Sequence, residues 1–121
     1  MKIISIDDLR AAPGSVALFQ GAEHGAANSF FVVSSAPGRG ADRHRHPYEE
    51  IFVILAGTIE VTLGDETMLV DPGSVVIVPP NTWHGFVNRS DFDASMVNIH
   101  DSATLIQENW DAALHSSIEI G

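Results

Sequence analysis

The run His44-Arg45-His46-Pro47-Tyr48-Glu49-Glu50 holds the residues in this sequence best suited to chemistry. In a strand, side chains repeat every second residue and the chain rises about 3.3 Å per position, so His44 and His46 share a face, roughly 7 Å apart at the backbone. One metal ion can bridge them. On a helix the pair would sit about 200° apart around the axis, so the spacing has chelating sense only in a strand. Glu50 lies at an even offset from His44, which aims it at the same face, with Pro47 free to bend the path. His84 follows an apolar stretch, residues 75–78, and a Pro79-Pro80-Asn81-Thr82 turn, on a strand that only a closed fold brings near. Three imidazoles and one carboxylate suit one divalent transition metal per chain (iron, manganese, nickel, cobalt, copper or zinc), with positions left for exchange. Such a site carries about +1 net charge and favours an anionic or chelating small molecule.

Short strands must position these residues. Apolar alternation and turn signals predict strands at residues 16–19, 29–33, 42–46, 50–55, 58–63, 67–70, 74–78, 84–88 and 92–100, the rhythm of an all-β sandwich or barrel. Leu63-Gly64-Asp65-Glu66 reads as a hairpin. The stretch Ile51-Phe52-Val53-Ile54-Leu55 is apolar at both parities, which predicts cover on both faces, one side by the interior and the other by a terminal segment or a second subunit. A homodimer is expected on that ground. At the N-terminus, residues 2–6 read as a short strand, followed by a helical turn capped by Asp7 or Asp8 and ended by Pro13-Gly14. At the other end, Asp101 or Ser102 can cap a C-terminal α-helix over about 102–115. Leu105, Ile106, Asn109, Trp110, Ala113 and Leu114 would then form its packed stripe.

The 121 residues form a single domain, 1–121, long enough to bury roughly two thirds of its unfolded surface. Sixteen acidic against six basic side chains give a net charge of -10, which argues against nucleic acid as a partner. No cysteine is present, which excludes disulfides, thiolate zinc sites and cysteine nucleophiles. The apolar run at the start is too short for a signal peptide and no stretch could span a membrane, so a soluble, cytoplasmic protein is expected.

Gly38, five residues, His44-x-His46, three residues, Glu50, six residues and Gly57 match the first motif of the cupin family at every position. Gly73, five residues, Pro79, then Thr82, His84 and Asn88 match the second, with Asn81 where the family has Gly. Asn tolerates the left-handed backbone such a turn requires. The chain therefore resembles small single-domain cupins of the quercetin-dioxygenase-like kind, with motif 1 at 38–57 and motif 2 at 73–88. The resemblance implies a double-stranded β-helix, or jelly roll, with the metal bound inside by His44, His46, Glu50 and His84. It leaves the reaction open, because cupin functions are diverse.

The residues around the ligands carry specificity. Tyr48 could hydrogen-bond a substrate or rim the barrel. Phe92, Ala94, Met96, Asn98 and His100 share one face of the last strand; if that face points inward, Asn98 and His100 become candidates for orienting the metal ligands or for acid-base work. Tyr48 and His100 are the catalytic candidates, and Phe52, Phe86, Met96, Asn98 and His24 the pocket candidates. Arg43 and Arg45 have the opposite parity to the histidines and are expected in surface ion pairs. The functional expectation is a metal-dependent enzyme of dioxygenase-like type on an anionic or chelating substrate. A metal-dependent isomerase or lyase and a non-catalytic ligand-sensing module are the alternatives.

Overall fold

Alternation along each strand decides which side chains the fold encloses, and the enclosed set contains the chemistry. The computed structural model describes residues 1–111, and in that range ten strands form. They are Ala17–Phe19 (β1), Ser29–Ser35 (β2), Gly40–Arg45 (β3), Glu50–Ala56 (β4), Ile59–Leu63 (β5), Glu66–Val70 (β6), Ser74–Val78 (β7), His84–Asn88 (β8), Ala94–His100 (β9) and Glu108–Asn109 (β10). All pairings are antiparallel, in two five-stranded sheets ordered β1-β2-β9-β4-β7 and β10-β3-β8-β5-β6. The two faces enclose Phe52, Ile54, Ile59, Val61, Val78, Phe86, Ala94 and Met96. Each of the larger of these contributes about 1.5–3 kcal/mol by leaving water. This is the expected jelly roll.

The motif residues outside the ligand set hold turns. Gly57 has φ +87°, and a Cβ there would stand 2.8 Å from that of Ala94, so both backbone and space demand glycine. Asn81 adopts φ +59° and is the one non-glycine residue with positive φ among the described residues. Asn88 is buried and donates from Nδ2 to Ser35 O and Phe92 O, while its Oδ1 accepts from Ser90 N–H. It clips the β8–β9 connection to the end of β2. The expected hairpin also forms, with β5 and β6 in register from Leu63↔Glu66 to Ile59↔Val70.

Both termini depart from expectation. Residues 2–6 form no strand; a 3-10 turn at Ile6–Leu9 leads to an isolated bridge between Arg10 and Ala17. The C-terminal α-helix over 102–115 is absent as far as residue 111, and its remainder, including Ala113 and Leu114, lies outside the described residues. In its place β10 pairs with β3, Glu108 opposite Arg45 and Asn109 opposite His44. Tertiary hydrogen bonds win over the helical pattern. Asp101 N–H donates to Glu49 O, Leu105 N–H to Gln20 Oε1 and Trp110 N–H to Arg43 O, so the barrel takes the groups a helix would use internally. Ser102 Oγ closes a local turn on Thr104 rather than capping a helix.

The both-faces-apolar strand is covered fully on one side only. Glu50, Phe52 and Ile54 of β4 are buried, Ile51 and Val53 are half-buried, and Leu55 is 58% exposed.

Candidate metal centre

Two cross-strand pairs meet inside the barrel. His44 of β3 stands opposite His84 of β8 in one sheet, after a β-bulge that follows Ala41. Glu50 of β4 stands opposite His100 of β9 in the other. His46, one residue past the end of β3, completes the group. One donor atom from each of His44, His46, Glu50 and His84 lies within 4.8 Å of all the others; His46, Glu50 and His84 are buried and His44 is 8% exposed, at the cavity side. Glu50 does not arrive by the parity of a single strand. The segment from His46 to Glu49 carries the chain from one sheet to the other, and Glu50 points inward by the alternation of β4 itself.

Backbone carbonyls fix the tautomers of the three histidines. Each ring donates from Nδ1 to a carbonyl two residues away: His44 to Asp42 at 2.7 Å, His46 to Tyr48 at 2.8 Å and His84 to Thr82 at 2.7 Å. A neutral ring so committed carries its lone pair on Nε2. Yet His46 Nε2 and His84 Nε2 stand 2.7 and 3.0 Å from the same carboxylate oxygen, Glu50 Oε1. Lone pairs converging so closely repel unless a cation, proton or metal, sits among them. Donors at right angles around an ion with bonds of about 2.0–2.2 Å would stand about 3 Å apart, the spacing seen here. The donor set therefore fits a divalent metal, with His44, His46, Glu50 and His84 able to hold it.

The second oxygen of Glu50 has its own partner. His100 Nε2 lies 3.1 Å from Glu50 Oε2, and His100 Nδ1 lies 2.9 Å from Tyr48 Oη. A neutral His100 satisfies both contacts by accepting from the Tyr48 hydroxyl and donating from Nε2–H to Glu50. Tyr48 in turn lies flat on His46, ring centroids 4.4 Å apart at 9°. Burial alone would raise the Glu50 carboxyl, but the hydrogen bond from His100, joined by His46 and His84 whenever their Nε2 atoms carry a proton, outweighs it and holds the group well below the usual carboxylate range. Burial lowers His44 below its ordinary value and keeps the ring neutral, and burial raises the Tyr48 phenol.

The fold and this cluster agree with comparison to known proteins. A family description, the cupin domain, matches residues 31–100, more than half of the chain. This chain belongs to the cupin family. The cupin is 34% identical over 102 residues to Protein SchB of Streptomyces halstedii, covering 79% of this chain and 74% of that one. It is 37% identical over 62 residues to Polyketide synthase CurC of Streptomyces cyaneus, covering 50% of this chain and 40% of that one, so it spans well under half of that relative. Among solved structures, an oxalate oxidase in complex with the substrate analogue glycolate superposes with a TM-score of 0.73 at 18% identity, covering 98% of this chain and 74% of that chain; at that identity the likeness speaks for fold alone.

A cavity of about 330 Å³ opens beside the cupin's histidine cluster. Phe31, Val33, Ala41 and Phe86 give it apolar walls, and His44, Glu50, His100, Asn98 and Gln107 give it polar ones. The inward face of β9 is the one carrying Ala94, Met96, Asn98 and His100. Of the pocket candidates, Phe86 and Asn98 line this cavity. Phe52 and Met96 are packed in the core, each 1% exposed, and do not line it. His24 is also away from it, stacked on Phe19 at 4.7 Å. Of the catalytic candidates, His100 lines the cavity and Tyr48 backs His46 instead. Sequence reading missed Phe31, Val33 and Gln107; the alternation of β2 was the available signal for the first two. Arg45 pairs with Glu108 at 2.9 Å and lies over Trp83, while Arg43 lies over Trp110, so neither is held ready for an anion. A second cleft of about 320 Å³ between β6 and β7 offers one carboxylate, Glu66, and no imidazole.

Proposed function

We propose that this cupin is a divalent-metal enzyme acting on a small chelating or anionic molecule, with dioxygenase-like chemistry. One observation carries the reading: three Nε2 lone pairs, set by Nδ1 donation to backbone carbonyls, converge with Glu50 Oε1 beside an open, mostly apolar cavity. A bound ion would supply Lewis acidity or, as ferrous iron, a place where substrate and dioxygen meet. The chain's own residues then divide the remaining work. His100 holds Glu50 through Oε2 and keeps Oε1 turned to the histidines. Tyr48 orders both His46, by stacking, and His100, by its hydroxyl. Phe31, Val33, Ala41 and Phe86 exclude water from the bound molecule. A polyketide synthase among the relatives supports an oxygenated carbon skeleton as substrate, because polyketide enol and phenol oxygens are spaced to chelate.

The test is to load the purified protein separately with Fe(II), Mn(II), Co(II), Ni(II), Cu(II) and Zn(II). Chelating phenols and keto acids are then screened for oxygen uptake and for isomerised product. Oxygen uptake with one metal supports the dioxygenase reading, and product without oxygen consumption turns it to the isomerase or lyase. Binding without turnover under every metal overturns catalysis in favour of a sensing module. A cytoplasmic homodimer is the proposed working form.

A further inference from the structure

The cavity wall contains one polar group whose oxygen nothing in the described protein satisfies. Asn98 is 5% exposed, lines the cavity, and its Oδ1 has no hydrogen-bond partner among the described residues. Register explains why. On β9 Asn98 stands opposite Phe31 of β2 on one side and Phe52 of β4 on the other, and neither side chain can donate. An unsatisfied buried acceptor costs stability, so an apolar residue would serve the fold better at this position. Asn98 is also two residues along β9 from His100, which places it roughly 7 Å along the strand from the Glu50–His100 row.

We propose that Asn98 is the specificity residue of the site. Its carbonyl oxygen accepts from a hydroxyl on an aromatic or enolic substrate whose other oxygens bind at the metal centre. The inference rests on the metal-anchored reading above and adds the substrate class: a flat, apolar body, a chelating oxygen pair at one end, and an O–H donor about one ring away. Phe31 and Phe86 supply the apolar walls, and the cavity of about 330 Å³ suits one or two fused rings. A compound lacking the hydroxyl leaves Oδ1 unpaired in the bound state, which is the physical basis for rejecting it.

Two arms test this, with Asn98→Leu as the variant of similar size. In the first, Zn(II)- and Ni(II)-loaded wild type is titrated calorimetrically, without oxygen, with catechol, pyrogallol and 1,2,4-trihydroxybenzene. At least one trihydroxy compound should bind about 3- to 10-fold tighter than catechol, and the preference should shrink to within about twofold in Asn98→Leu. No preference in wild type, or a preference kept by the variant, overturns the assignment. The second arm uses metal-free protein and needs no ligand: Asn98→Leu should leave the melting temperature unchanged or raise it. A fall of about 4 °C or more would show that the amide is bonded for structure, and would also overturn the assignment. Catechol failing to bind either metallated form would overturn the metal-anchored reading and with it the substrate class given to Asn98, whereas tight catechol binding without the trihydroxy preference overturns the Asn98 assignment alone.

Discussion

Removing His84 and removing His100 have different consequences, because one offers a lone pair to the metal site and the other holds a ligand in place. His84→Ala should abolish stoichiometric metal, read by elemental analysis, while leaving the β-sheet circular dichroism of a barrel. His100→Ala should weaken metal affinity about 10- to 100-fold, the usual cost of losing a group that orients a ligand. His100→Gln, whose amide N–H can still reach Glu50 Oε2, should recover much of that loss. No recovery would mean that His100 acts by bulk rather than by its hydrogen bond. The same cluster sets the pH response of the metal-free protein. The folded-state value of His44 lies below its ordinary 6.5, so as pH falls the unfolded chain takes the proton first and stability is lost. The loss begins near pH 6.5 and runs down to the folded-state value, with a slope of up to about 1.36 kcal/mol per pH unit. Glu50 acts in the same sense at lower pH: its depressed carboxyl contributes stability above the unfolded value of 4.5, and this disappears as pH falls through the folded-state value. Urea midpoints measured from pH 7 to 5 should therefore decline, and a flat profile would contradict the burial of a neutral His44.

At the scale of elements, strands and ligand-bearing turns were legible in the sequence because their signals are local. Period-two alternation, the glycines at positive φ and Asn81 each state a backbone requirement that a neighbour or two can enforce. Glu50 is more instructive: counting by twos from His44 reached the right residue by the wrong path, since a four-residue crossing and the separate alternation of β4 direct it inward. The final segment departs from its helical spacing because its decisive partners are distant in sequence. Leu105, Ile106, Asn109 and Trp110 have helical spacing, but β3 would otherwise end its sheet with open backbone groups, and pairing with β10 satisfies them. A short helix has little intrinsic stability to set against that. Trp110 seals the arrangement, its N–H bonded to Arg43 O at 3.0 Å and its ring edge-on to Trp83 at 5.0 Å. Hydrogen exchange should accordingly find the Trp110 amide protected. Trp110→Ala should lower stability by about 0.5–1.5 kcal/mol beyond the lost apolar area, through the aromatic contact with Trp83. Helical protection through residues 105–110 would instead restore the sequence expectation.

The whole molecule presents a conflict between charge and apolar surface that bears on assembly. The outer face of the first sheet carries Ile51 opposite Ile77 and Ile99, and Val53 opposite Val75 and Val97. Of these, Val75 is 61%, Ile77 59% and Ile99 36% exposed, and Leu55 adds 58%. Contiguous apolar rows on a sheet whose last strand, β7, has an edge left unpaired among the described residues favour a second copy as cover. Against this, each chain brings a net charge of -10, so pairing two copies costs electrostatic energy that salt reduces. An interface held by apolar burial and opposed by like charge strengthens as salt rises, whereas one held by ion pairs weakens. Light scattering at micromolar concentration should give a dimer whose dissociation constant falls between about 50 and 500 mM salt. Ile77→Lys, which places a charge in the middle of the rows, should shift the protein to monomer with its circular dichroism unchanged. A monomer at every salt concentration would defeat the homodimer, and a dimer that loosens with salt would move the interface away from this face.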